Sequence, residues 1–144
     1  MSETHSPRRI GRSIFAVIVG IVANIILSLG TDEVFHLAHV YPPWGASMVG
    51  YEDTLFLATL YRTIYGVFGS YLTARLAPSR PMLHALILGI LGLAVCILGA
   101  ATTWNAGPAF GPHWYPVALI VLAVPTAWFG AKLRLAQLSV RKDG

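Results

Sequence analysis

One arginine stands apart from the other nine basic residues of this 144-residue chain. Arg62 lies inside an apolar stretch, about nine residues from its start, whereas the other Lys and Arg residues flank such stretches. A guanidinium at the centre of a membrane helix costs about 2.5–3.5 kcal/mol on insertion scales. It must therefore face a protected interior, pair with another group or reach for the interface. Three partners are within plausible reach. Asn24 sits in the middle of the preceding apolar segment, and Asp32 and Glu33 lie just past its end. If that segment continues as helix beyond Gly30, Asp32 comes within reach of Arg62. Such a cluster could serve as an ion or anion site. It could equally be a structural pair that fixes helix register, and we expect the structural role.

Histidines offer a second chemistry. On a helix, Asp32, His36 and His39 share a face, being four and then three residues apart. Imidazole and carboxylate at that spacing suit zinc, copper or iron, and His113 could add a further ligand. Histidines from two helices could also hold a haem. The pattern lacks the glutamate of HExxH, however, and the convergence of three ligands is not assured. We expect no cofactor, with metal or haem as the alternative. The simpler reading of residues 31–53 is an outer loop carrying a short interfacial helix, with Val34, Phe35, Leu37, Ala38 and Val40 dipping into lipid. Glu52 and Asp53 precede another apolar stretch, where carboxylates complement the helix dipole. Tyr61, Tyr65 and Phe68 form a stripe beside Arg62, read as core packing, with a hydroxyl line along a polar path as the alternative. Nucleotide loops, a GxSxG elbow and an ordered Ser/His/Asp set are all missing from the sequence, so the expectation leans away from an enzyme. The single cysteine, Cys96, permits no intrachain disulfide.

The elements that must position these residues follow from composition. Hydrophobic residues make up 56% of the chain and charged residues 11%, against about 25% charged in a soluble domain. Lipid is the expected solvent. A helix crossing the bilayer needs about 20 apolar residues, and four segments qualify: 13–30, 54–76, 82–103 and 114–131. The expected fold is an all-α polytopic bundle of four transmembrane helices forming one membrane domain. Nine of the ten basic residues flank these spans on one side, and the two remaining connections hold none. The positive-inside rule then places both termini in the cytoplasm. Charges that flank spans and form no separate basic domain also argue against a nucleic-acid partner. The first segment has features of a signal peptide, including Ser28-Leu29-Gly30, but its length and Asn24 favour retention.

Packing between spans should rely on small residues. Ridges at four-residue spacing include Ala16 and Gly20, Gly66, Ser70 and Ala74, Ala85 and Gly89, and Ala123, Ala127 and Ala131. These are expected to pack within the bundle. Phe35, Tyr41, Trp44, Tyr51, Trp104, Trp114 and Tyr115 read as an outer interfacial belt. Pro125 should bend the last helix. The halves are faintly alike: Phe68-Gly69 and Phe129-Gly130 stand 61 residues apart, each preceding an Arg-Leu-Ala.

Several runs carry a resemblance over nearly the whole chain. They are Leu27-Ser-Leu-Gly-Thr-Asp-Glu-Val-Phe-His, Tyr41-Pro-Pro-Trp-Gly, Tyr61-Arg-Thr-Ile-Tyr-Gly, Leu72-Thr-Ala-Arg-Leu-Ala-Pro and Gly111-Pro-His-Trp-Tyr-Pro. The chain resembles small bacterial membrane proteins of no assigned activity, which implies a bacterial inner membrane and no mechanism. Three functions stay open. The first is a non-enzymatic accessory or interaction protein with a homo-oligomeric or membrane-protein partner. The second is a small oligomeric transporter or channel using Arg62 and Asn24. The third is a metal- or haem-binding redox protein using His36, His39 and His113.

Overall fold

The computed structural model describes residues 7–143; residues 1–6 and 144, which include both chain ends, lie outside the described residues. The fold is all-α. Four helices, α1 (Pro7–Leu37), α2 (Thr54–Leu76), α3 (Pro81–Thr103) and α4 (Trp114–Asp143), follow one another, with a short 3-10 turn at Pro108–Phe110 before α4. Three of them, α1, α3 and α4, are long and apolar enough to cross a membrane. The helix α2 has 23 residues but is less apolar. It is also the central helix, in contact with the other three, so its polar side chains have protein neighbours.

Large and small residues are sorted in the reverse of a water-soluble core. The buried apolar set is mostly alanine, including Ala16, Ala58, Ala74, Ala85, Ala100, Ala127 and Ala131, and the largest fully buried side chain is Thr73. Ile14, Ile18, Ile26, Phe56, Ile90, Leu98 and Val121 are exposed. Water would penalise so many exposed branched side chains, whereas lipid does not. Helix association must then come from close approach and interhelical hydrogen bonds.

Glycine makes that approach possible. A Cβ at Gly20 would collide with the Thr73 hydroxyl and stand 2.7 Å from the Gly69 carbonyl oxygen. One at Gly69 would stand 2.8 Å from the Gly20 oxygen, so α1 and α2 touch backbone to backbone. Gly89 does the same for α3 against Ala127 of α4, and Gly130 for α4 against Val67 and Ser70 of α2. The small-residue ridges therefore pack within the bundle. Their pairings give the topology: α1 and α2 run antiparallel, α3 and α4 antiparallel, and α2 and α4 parallel. Helix α4 continues through Pro125, whose side is exposed.

The loops after α1 and α3 are tied by Met48 N–H donating to the Ala109 oxygen at 2.9 Å. Phe35, Tyr41 and Tyr115 leave the expected belt and pack inward on Ala58 and Tyr61, while Trp44 and Trp104 stay exposed. The apolar spans were shorter than the helices that carry them, because α1 runs on to Leu37 and α4 to Asp143.

The packing predicts unequal effects of one added methyl group. Gly20→Ala should lower the thermal unfolding temperature in detergent, at a cost of about 1–3 kcal/mol for overpacking. Gly99→Ala, where no atom lies within 4 Å, should be neutral or slightly stabilising. Circular dichroism melts of the two variants test this; equal melts would contradict the α1–α2 backbone contact.

Candidate functional site

Ala16, Gly20, Asn24, Ser28 and Asp32 step along α1 four residues at a time, forming a slowly turning stripe. This stripe faces α2, and it is polar toward the C-terminal end of α1. Because α1 stays helical past Gly30, Asp32 is carried to the level of Tyr61 and Arg62. Its carboxylate side chain is 8% exposed. One oxygen accepts a hydrogen bond from the Tyr61 hydroxyl. The other accepts from Arg62 Nη2 at 2.5 Å, which is also an ion pair. Tyr61 and Arg62 are consecutive, about 100° apart around α2, so they grip the carboxylate from two sides.

The network extends in both directions. Tyr61 has committed its proton to Asp32, so its oxygen accepts from the Tyr41 hydroxyl at 3.0 Å. Burial pushes the Tyr41 phenol above its usual range, so it remains a donor at neutral pH. One turn inward along α2, the Tyr65 hydroxyl meets Thr31 Oγ1 at 2.8 Å. Far down the seam, Thr73 Oγ1 donates to the Ala16 carbonyl at 3.1 Å. The α1–α2 interface is thus stitched by hydrogen bonds along its length.

Tyr41 reaches the site because α1 ends in a Schellman motif. His39 adopts the left-handed conformation with φ 57°. Its N–H donates to His36 at 3.2 Å, and the Val40 N–H to Phe35 at 2.9 Å. The chain reverses there, and Tyr41 folds back over Phe35, their rings edge to face at 5.4 Å.

The other expected site residues are distributed as follows. Glu33, one residue beyond Asp32, turns outward and accepts from Trp44 Nε1 at 2.8 Å. Asn24 lies two turns inward of Asp32 and accepts from Ser28 Oγ at 3.2 Å. Asn24, Ser28, Arg62, Cys96 and Thr126, among apolar side chains of all four helices, line a cavity of about 460 Å³. Arg62 is the charged residue of that cavity, and its buried Nε has no hydrogen-bond partner. Glu52 accepts from the Gly50 N–H at 3.1 Å, and backbone hydrogen bonds hold its carboxylate below the usual range. Asp53 precedes α2 without a side-chain cap.

The histidines do not assemble. Helix α1 stops at Leu37, so His39 leaves the face that Asp32 and His36 share. Asp32 is already taken by Tyr61 and Arg62. His36 Nδ1 donates to the Pro42 oxygen at 2.5 Å, with its ring 4.0 Å from that of Trp44. His113 Nε2 donates to the Trp104 oxygen at 2.9 Å, and the two rings stack at 4.3 Å. Among the described residues, no three His, Cys, Asp or Glu side chains group to hold a metal ion. Sequence reasoning offered Asp32, with Asn24 and Glu33, as candidate partners of Arg62, read Tyr61 as core packing beside it and assigned Tyr41 to the interfacial belt; the structure pairs Arg62 with Asp32. The available signal was the adjacency of Tyr61 to Arg62; nothing local marked Tyr41.

Removing one side of this network should cost more than removing two. Arg62→Leu is expected to destabilise the detergent-solubilised protein by about 3–5 kcal/mol, and adding Asp32→Asn to restore part of that loss. Tyr61→Phe, which deletes a bond to a charged group, should cost about 1.5–3 kcal/mol. Unfolding curves of the set test this, and additive losses in the double mutant would contradict the pairing. His39→Gly relieves a left-handed residue and should be stabilising by up to about 1 kcal/mol. A ligand role for His39 would instead show as loss of bound metal in elemental analysis.

Comparison with protein-family models, with curated proteins and with solved structures finds no match to this chain.

Proposed function

We propose that this chain is an integral membrane protein of four spans, with both termini cytoplasmic, that works without chemistry of its own as an accessory or interaction protein. The observation that carries the reading is the reversed sorting of side chains: alanine, glycine and hydroxyl groups inside, branched and aromatic groups outside on every helix. Such a surface suits lipid and the apolar faces of other membrane proteins, including a second copy of this chain. The fourth span is α2. At about 1.5 Å per residue its 23 residues reach about 35 Å, enough for a core of about 30 Å. The polar residues of its least apolar stretch, Tyr61, Arg62 and Tyr65, are turned toward α1 by the hydrogen bonds of the seam. The orientation rests on Arg75, Arg80, Lys132, Arg134 and Arg141 gathering at one end, opposite loops without Lys or Arg. The resemblance to small bacterial membrane proteins supports the inner membrane as its location.

A second reading, a small oligomeric transporter or channel, is favoured by one observation. The cavity between the helices is lined by Asn24 and Arg62, and ionisable groups inside membranes often mark substrate paths.

Reporter fusions test the main reading. Fusions at Pro78 and Gly144 should report cytoplasmic, and one at Gly107 external; a cytoplasmic signal at Gly107 would overturn four spans. In liposomes, the accessory reading predicts no flux of ions or small solutes above empty vesicles. Flux abolished by Arg62→Leu would transfer the case to the transporter.

A further inference from the structure

Away from the Asp32 network, α2 and α4 leave a second concavity at their inner ends. Ile64, Phe68, Tyr71 and Arg75 follow each other on one face of α2 at spacings of four, three and four. Arg134, Gln137 and Arg141 do so on α4 at three and four. The helices are parallel, so the two stripes descend side by side and border an open groove of about 900 Å³. It is apolar at Ile64 and Phe68, hydroxylic and amidic at Tyr71 and Gln137, and cationic at Arg75, Arg134 and Arg141.

The polar end has unusual bonding. The Tyr71 hydroxyl donates to Gln137 Oε1 at 2.8 Å. Arg75 Nη1 leans on the Tyr71 oxygen at 3.4 Å, and Arg134 Nη1 on Gln137 Oε1 at 3.5 Å. The Arg75 and Arg134 guanidinium groups thus rest, through long bonds, on neutral acceptors at the two ends of the Tyr71–Gln137 hydrogen bond. Among the described residues no carboxylate lines the groove, and the one ion pair, Arg62–Asp32, belongs to the outer half of the bundle. Neither guanidinium has a charged partner among the described residues, and an anion placed between them takes up their remaining N–H donors.

We propose that this groove binds one anionic phospholipid, its phosphate between Arg75 and Arg134 and an acyl chain lying along Phe68 and Ile64. Three features select a lipid as occupant. The cationic end opens at the end of the helices where headgroups would lie. The apolar end continues into the bundle's lipid-facing surface, since Ile64 and Phe68 are exposed. The length also fits. From Ile64 to Arg75 the helix rises about 16 Å, close to half the roughly 30 Å core and so to one acyl layer. Basic pockets between transmembrane helices on the cytoplasmic side are a known form of headgroup recognition. The proposal rests on the four-span reading, which sets α2 and α4 across the bilayer.

Native mass spectrometry of the full chain, released from nanodiscs of equal parts phosphatidylglycerol and phosphatidylcholine, tests it. The wild-type protein should retain one phosphatidylglycerol in preference to phosphatidylcholine. Arg75→Gln with Arg134→Gln should lower that retention by about five-fold for each arginine removed, the pull of one basic side chain on an anionic surface. Arg75→Lys with Arg134→Lys should keep most of it, which shows that the loss is one of charge and not of folding. Arg8→Gln with Arg9→Gln, outside the groove, should leave it unchanged. Equal loss in the Arg8/Arg9 variant would mean diffuse attraction and would overturn the site. Displacement of the lipid by millimolar inorganic phosphate would mean a free-anion site and would overturn the lipid assignment. Retention of both lipids alike, or of neither, removes the site but leaves the four-span reading standing, which the reporter fusions test separately.

Discussion

A carboxylate buried between two helices in an apolar environment must be satisfied at both oxygens, because leaving either unpaired costs several kcal/mol. Asp32 meets that demand through Tyr61 and Arg62, and much else follows from the requirement. It keeps α1 helical past the end of its apolar run, since only a continued helix delivers Asp32 to the right level. It turns Arg62 away from lipid, where the guanidinium would otherwise be expensive. It also sets the register of α1 on α2, which the glycine contacts at Gly20 and Gly69 and the Thr73 hydrogen bond then share over about four turns of α1.

That register governs the rest of the bundle. With α1 fixed, α2 contacts all three other helices, and its polar Tyr61, Arg62 and Tyr65 are tolerated because they face protein. The parallel helices α2 and α4 align with an offset near 60 residues, as Gly66 facing Thr126 and Gly130 facing Ser70 indicate. This offset matches the 61 residues between the two Phe-Gly pairs. The pairs stand at similar depth, yet their glycines serve different contacts, Gly69 against α1 and Gly130 against α2. Similar sequence here reflects a shared need for close approach at one level. The same alignment brings Arg75 beside Arg134, which is why a cationic groove forms at that end.

Much of this was legible in the residues themselves. Continuous apolar runs marked the helices, the low charge content marked lipid as solvent, and an arginine inside a run demanded a partner that Asp32 could provide. What local pattern could not convey was how loops return. Tyr41 joins the network through a left-handed residue, His39, which is not a glycine and so gave no turn signal. The same turn ends the helical spacing on which a ligand set of Asp32, His36 and His39 depended. Phe35, Tyr41 and Tyr115 read as interfacial aromatics because amphipathic rings suit both a belt and a core, and only tertiary packing on Ala58 and Tyr61 separates the two.

The central claim, that one ion pair inside the bundle joins α1 to α2, is open to direct distance measurement. Solid-state NMR on protein in lipid bilayers, with ¹⁵N-labelled arginine and ¹³C-labelled aspartate, reads the dipolar coupling between guanidinium nitrogens and carboxylate carbons. Arg62–Asp32 is the ion pair among the described residues. The account predicts a coupling from Arg62 to the Asp32 carboxyl carbon corresponding to about 3–4 Å, the range of a charge-assisted hydrogen bond. Absence of that coupling, with the two groups beyond about 6 Å, where no hydrogen bond is possible, would contradict it.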